Sequence, residues 1–103
     1  MLKLHSIVKA VDEGYGEYIG EIVGFRGYPS PVYYVRILAC TKYPSQNALL
    51  VKNVHFKRLP YPHLSIQTFS LNNVEEYKGE IPEYEQSVQT AFGQAQAALF
   101  SPR

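Results

Sequence analysis

The sequence predicts a mostly β domain that ends in one amphipathic α-helix, and three observations predict it. Glycine and proline cut the first three-quarters of the chain into short runs rich in β-branched and aromatic residues. Residues 32–40, VYYVRILAC, alternate two sets of side chains at the period of a strand. Residues 81–100 abandon that rhythm for apolar side chains spaced by three and four. At 103 residues the chain forms one domain, burying roughly two-thirds of the surface its unfolded form exposes.

In residues 6–11 (SIVKAV), Ile7, Lys9 and Val11 oppose Val8 and Ala10. DEGYG is a loop in which Gly14 and Gly16 supply positive φ. Residues 17–26 (EYIGEIVGFR) place Ile19, Val23 and Phe25 on one face, and Gly20 and Gly24 predict a bulge or sharp bend. After the turn GYPSP, Tyr33, Val35, Ile37 and Ala39 point one way, and Tyr34, Arg36, Leu38 and Cys40 the other. Both sets are largely apolar, so this strand is central and covered on both sides.

TKYPSQN turns the chain again, into a strand over residues 48–58 (ALLVKNVHFKR), where Leu50, Val54 and Phe56 share a face with Lys52 and Arg58. LPYPH ends it, because neither proline can donate to a ladder. SIQTF, residues 65–69, is a further short strand, and SLNNVEEY is a helical turn passing into the last one.

The helix is predicted over residues 82–100, with Pro82 at its first position and Glu83 and Glu85 in the first turn, where the macrodipole favours anions. Its stripe is Tyr84, Val88, Ala91, Ala95 and Ala98, flanked by Phe92 and Leu99. Gly93 weakens it by roughly 1 kcal/mol unless a close neighbour needs the space. The stripe is expected to cover Tyr34, Leu38 and Cys40 of its own chain. The alternative is the same helix of a second copy, so the expected state is a monomer or a weak homodimer through this helix. The domain then divides into strands over residues 1–80 and a packed helix over 81–103.

The order of these elements resembles an SH3-like (Src-homology-3-like) small β-barrel, with two stretches carrying the likeness. EYIGEIVGF preceded by IVKAV, within residues 6–26, is similar to the β-loop-β core of KOW-type domains. TFSLNNVEEY, residues 68–77, is similar to the closing helical turn and last strand of SH3-like folds, small cyanobacterial photosynthetic subunits among them. The resemblance implies a barrel of about five or six short antiparallel strands. It implies a fold alone, since such barrels host nucleic-acid binders, peptide binders and assembly subunits.

The net charge of +1 hides a segregation. No Asp or Glu occurs between Ile22 and Val74, where Arg26, Arg36, Lys42, Lys52, Lys57 and Arg58 give +6. The residues before this span sum to −2 and those after it to −3. A basic centre meets either a polyanion or the chain's own acidic ends across the fold. The second is favoured, because a pI near 7.8 falls short of the basicity of most nucleic-acid binders.

Catalytic constellations are missing. Cys40 lacks a family-type nucleophile context and ends an apolar strand, the setting of a buried thiol. His5, His55 and His63 have neither helical spacing nor nearby carboxylates, so no metal site is assigned, and no cofactor either. Gly14-Tyr15-Gly16 is too short for a dinucleotide fingerprint. The stretch before Asp12 holds only a few apolar residues, against roughly 20 for a membrane helix. A lone cysteine fits a reducing, cytoplasmic setting.

The remaining distinctive features are the pairs Tyr28-Pro29, Tyr43-Pro44 and Tyr61-Pro62, with a faint repeat between YPSPVYYV and YPSQNALLV, and the acid-free strip KNVHFKRLPYPH. Rigid aromatic turns beside cations make a low-entropy docking surface. The leading reading is therefore a non-enzymatic module that binds a partner protein. Its candidate contacts are Arg26, Tyr28, Arg36, Lys52, His55, Lys57, Arg58, Tyr61 and His63. The alternative is a KOW-like nucleic-acid-binding barrel using residues 22–74, its cations on phosphates and its aromatics on bases.

Overall fold

The computed structural model describes residues 2–44 and 59–100, with side chains as far as Ala98. Strands β1 (Ile7–Asp12), β2 (Gly16–Arg26), β3 (Val32–Lys42) and β4 (Ile66–Ser70) form an antiparallel meander. A 3-10 turn over Leu71–Asn73 then returns β5 (Val74–Glu76) to the free side of β1. The sheet therefore has the order β4-β3-β2-β1-β5, and it curls until β1 touches β4 and the 3-10 turn. Helix α1 (Tyr84–Phe100) follows. Five antiparallel strands and one C-terminal helix are the mostly β class the sequence predicts. The strand expected over residues 48–58 lies outside the described residues.

Gly14 and Gly16 take φ of 84° and 109°, as the tight β1–β2 turn requires. Strand β2 pairs with β1 along its first half and with β3 along its whole length, so it must serve two parts of a curled sheet. It does so through register shifts at Glu17/Tyr18, Ile19/Gly20 and Ile22/Gly24. The bends expected from Gly20 and Gly24 are therefore present. The expected single face of Ile19, Val23 and Phe25 is not. Tyr18, Ile19, Gly20 and Ile22 are all buried, Val23 is half-buried and Phe25 is exposed. At Ile22/Gly24 the extra residue, Val23, lies in β2 and re-aims Gly24 and Phe25, whereas at the other two shifts the extra residues, Leu38 and Thr41, lie in β3.

Gly20 sits where two strands meet most tightly. A Cβ there would lie 2.4 Å from Val35 Cγ1 and 2.5 Å from the Arg36 carbonyl oxygen. The second contact is backbone and cannot swing away.

Tyr33, Val35, Ile37 and Ala39 of β3 are buried, as their alternation predicts. They join Val8, Ala10, Tyr18, Ile22 and Phe69 in the core, where a fully enclosed aliphatic side chain contributes roughly 1.5–3 kcal/mol. Tyr34, Arg36 and Leu38 stay half-buried, and among the described residues α1 packs on β3 near its Cys40 end. There α1 lays buried Ala91, with Tyr84, Val88, Phe92 and Ala95 around it. Phe92 meets the edge of Tyr43 at a centroid distance of 5.4 Å. Ser87 Oγ accepts the Cys40 N–H at 3.0 Å and donates to the Tyr84 carbonyl at 2.6 Å.

The helix begins at Tyr84, two residues later than predicted. The Glu83 carbonyl accepts the Ser87 N–H at 2.9 Å, which leaves Pro82 ahead of the first turn. Ala98, the last member of the expected stripe, is exposed, because α1 runs past the part of the sheet it covers.

Around Gly93 a Cβ would meet nothing within 4 Å. Gly93→Ala should therefore raise the free energy of unfolding by up to about 1 kcal/mol. Gly20→Ala should lower it by about 1–3 kcal/mol through overpacking. Urea midpoints followed by circular dichroism check both, and a Gly20→Ala midpoint equal to wild type would refute the close approach.

Candidate functional site

Tyr61, a candidate contact in the sequence, is half-buried and tied into the fold on several sides. Its ring stacks on Tyr18 at 5.1 Å and meets Phe69 edge-on at 6.3 Å. Its hydroxyl donates to Asp12 Oδ2, its N–H donates to the Tyr18 hydroxyl at 3.2 Å, and its carbonyl accepts the Tyr84 hydroxyl at 2.6 Å. Tyr18 in turn donates to the Tyr15 carbonyl. One residue thus joins the end of strand β1, strand β2, strand β4 and helix α1. His63 stays exposed at the rim of this group, stacked on Tyr84 at 5.0 Å.

Burial pushes the phenols of Tyr18, Tyr43, Tyr61 and Tyr84 upward, and at Tyr61 the Asp12 carboxylate adds to the effect. Burial likewise pushes the Cys40 thiol up to about 11, and it donates to the Lys42 carbonyl at 3.3 Å. At neutral pH Cys40 is a protonated, enclosed side chain, which is the wrong state for a nucleophile. Among the described residues no three of His, Cys, Asp and Glu gather as a metal site would require. No helix among them is long and apolar enough to cross a membrane.

The remaining described candidates divide between two places. Arg36 leaves β3 toward Glu21, with Nη1 3.5 Å from Oε1, and His5 Nδ1 lies 2.6 Å from the other oxygen of the same carboxylate. A cation of the acid-free span is thus met by an acid from the N-terminal stretch. Exposed pairs of this kind contribute about 0–1 kcal/mol.

Arg26 and Tyr28 stand at the tip of the β2–β3 hairpin, where Tyr28 is 85% exposed and the Tyr28–Pro29 bond is cis. Phe25, paired with Tyr33 across the hairpin, is 46% exposed and leans on that ring at 5.8 Å. Tyr33 holds the other side of this end, its hydroxyl accepting the Leu2 N–H at 3.1 Å. Arg26 makes no ion pair among the described residues. Pairing of β1 with β2 stops at Glu21, with Ser6 and His5 carrying it to Ile22, so no described strand flanks the outer edge of residues 23–26.

Lys52, His55, Lys57 and Arg58 lie outside the described residues. Asp12, Tyr18, Glu21, Phe25 and Tyr84 were not among the candidates. Only Phe25 carried a signal, its place beside Arg26 and Tyr28.

The family model of KapB, kinase associated protein B, matches residues 14–102. The chain belongs to the kinase associated protein B family. The crystal structure of kinase-associated protein B from Bacillus cereus is similar over 98% of this chain and 80% of that one, with a TM-score of 0.80 and 26% sequence identity. A comparison with curated proteins gives no match. The stretch matched to the kinase associated protein B family starts in the β1–β2 turn, so it takes in the hairpin tip and, apart from Asp12, the Tyr61 group.

Tyr61→Phe keeps the ring and removes the bond to Asp12, so it should cost about 1–2 kcal/mol, and Tyr61→Ala more, by chemical denaturation. Because the folded state holds the Cys40 proton and the buried tyrosine protons more tightly, stability is fully present below pH 9 and falls as pH rises through 9 to 11. Cys40 alone accounts for about 1–3 kcal/mol of that loss. Urea midpoints at stepped pH, with Cys40→Ala as control, measure it. Thiol labelling of the native protein at neutral pH should run far slower than in urea. Equal rates would place a reactive thiol at Cys40.

Proposed function

We propose that this chain is a non-catalytic protein that works by associating with a protein kinase. The observation that carries the reading is the match across residues 14–102 to a family named for kinase associated protein B. The chemistry supports it from the other side. Cys40 is protonated and enclosed, and the exposed aromatic and cationic side chains at the hairpin tip suit contact with a polypeptide.

The scaffold for this role is an SH3-like barrel over residues 1–80 with the helix of 81–103 packed on it, working in the cytoplasm as a monomer or weak homodimer. The meander order and the 3-10 turn that brings β5 to β1 support the barrel reading. Arg26, Tyr28, Arg36, Tyr61 and His63 are the described contact candidates. Lys52, His55, Lys57 and Arg58 join them on charge alone.

The test is capture by the immobilised full chain from extract of its own cells at low salt, with proteins and nucleic acid both identified. Retention of a protein kinase by the wild type, with less retained by the folded Lys57→Glu, Arg58→Glu double variant, is expected. Retention of nucleic acid instead, falling steeply as salt rises, would overturn the reading in favour of a KOW-like barrel.

A further inference from the structure

We infer that the outer edge of β2 over residues 23–26, together with the side chains of Phe25, Arg26 and Tyr28, docks an extended acidic segment of the partner protein by adding a strand to the sheet. The inference deepens the kinase-association reading and rests on it for the identity of the partner.

Three independent observations converge on this edge. The first is an outer backbone edge that no strand among the described residues pairs with. β2 pairs with β3 as far as Arg26, but its ladder to β1 stops at Glu21 and Ser6 and His5 extend contact only to Ile22. Residues 23–26 therefore offer a template on which an incoming chain can form main-chain hydrogen bonds. Proteins ordinarily blunt such an edge.

The second is exposed apolar surface beside that template. Phe25 is 46% and Tyr28 85% exposed, and Phe25 already leans on Tyr33, whose hydroxyl is held by the Leu2 N–H. An aromatic ring braced from behind loses little freedom when a partner covers it.

The third is charge. Lys9 faces Glu17 and Arg36 faces Glu21, but Arg26 makes no ion pair among the described residues. No acidic residue occurs between Ile22 and Val74 to supply one locally. An incoming carboxylate would complete Arg26 and steer the approach. A nucleic acid would use the cation and the rings but leave the edge N–H and carbonyl groups without strand partners, so a polypeptide fits better.

The test uses the isotopically labelled full chain and a short capped peptide that alternates glutamate and valine, followed by amide chemical shifts and hydrogen exchange. Two control peptides carry lysine for glutamate, or N-methyl groups on alternate residues, which block strand addition and keep the charge. Expected are shifts confined to residues 23–28, slower exchange of the edge amides, and no binding of either control. Arg26→Glu and Tyr28→Ala, both at exposed positions, should each weaken binding by about tenfold while retaining the native spectrum. Equal binding of the methylated peptide, shifts elsewhere, indifference to both substitutions, or no binding of the acidic peptide would overturn the inference. Competition by a single-stranded oligonucleotide for the same amides would overturn it in favour of nucleic acid.

The Arg26→Glu, Tyr28→Ala double variant separates this site from the reading it rests on. Kinase still retained by the folded double variant would overturn the site and leave the association standing. Kinase lost from it would support the site. If the wild type retains no kinase the association reading fails, and the peptide titration still decides whether the edge accepts an acidic strand.

Discussion

Tyr18 is wholly enclosed, and a phenolic hydroxyl enclosed without partners would cost roughly 1–3 kcal/mol, so the chain must bring polar groups to it from outside the strand. It does so twice, with the carbonyl of Tyr15 from the β1–β2 turn and the N–H of Tyr61 from the segment leading to β4. The second requirement organises the most. Once the backbone of Tyr61 is drawn to Tyr18, its ring lies on Tyr18 and against Phe69, its hydroxyl reaches Asp12, and its carbonyl receives Tyr84 from the helix. Elements far apart in sequence are therefore joined through one polar atom in the core. A network of this kind is stable only when every member is satisfied, which is why the aromatic residues concerned cannot be exchanged freely for aliphatic ones.

The charge pattern has a divided outcome. Glu21 collects both His5 and Arg36, so part of the acid-free centre is answered by the acidic N-terminal stretch. Arg26 is not answered in this way, and it stands beside the most exposed aromatic ring of the described residues. Neutralisation inside the fold and display outside it thus coexist on neighbouring strands. The net charge near zero conceals both.

Legibility followed the distance over which a rule operates. The alternation of Tyr33, Val35 and Ile37 is a local rule, and it is enough to find their buried face of β3, while Ala39 is buried beyond a register shift at Leu38. TFSLNNVEEY signalled the 3-10 turn and β5 by the same local means. In β2 the glycines announced bends, but where each bend falls decides which later side chains point inward, and spacing alone does not carry that. Phe25 thus pairs with Tyr33 and shares its face, away from the face of Ile19, and stays exposed at the end of the sheet. The half-burial of Tyr61 has a different origin: it depends on a hydroxyl in β2 and another in α1, which no local pattern encodes. The hairpin-tip candidates Arg26 and Tyr28 were readable, whereas the open edge behind them depends on where β1 stops.

The interface between α1 and β3 carries one further consequence. Ala91 and Ala95 present a shallow apolar surface, and a surface of that sort tolerates sliding, because moving a helix one turn, about 5.4 Å, exchanges one small contact for another. Ser87 removes that freedom. By accepting the N–H of Cys40 it takes the place of a neighbouring strand at that point of β3, and any slip of the helix would strand the amide in an enclosed site. A single hydroxyl therefore sets the register of the helix on the sheet, while the alanines around it supply attraction without position.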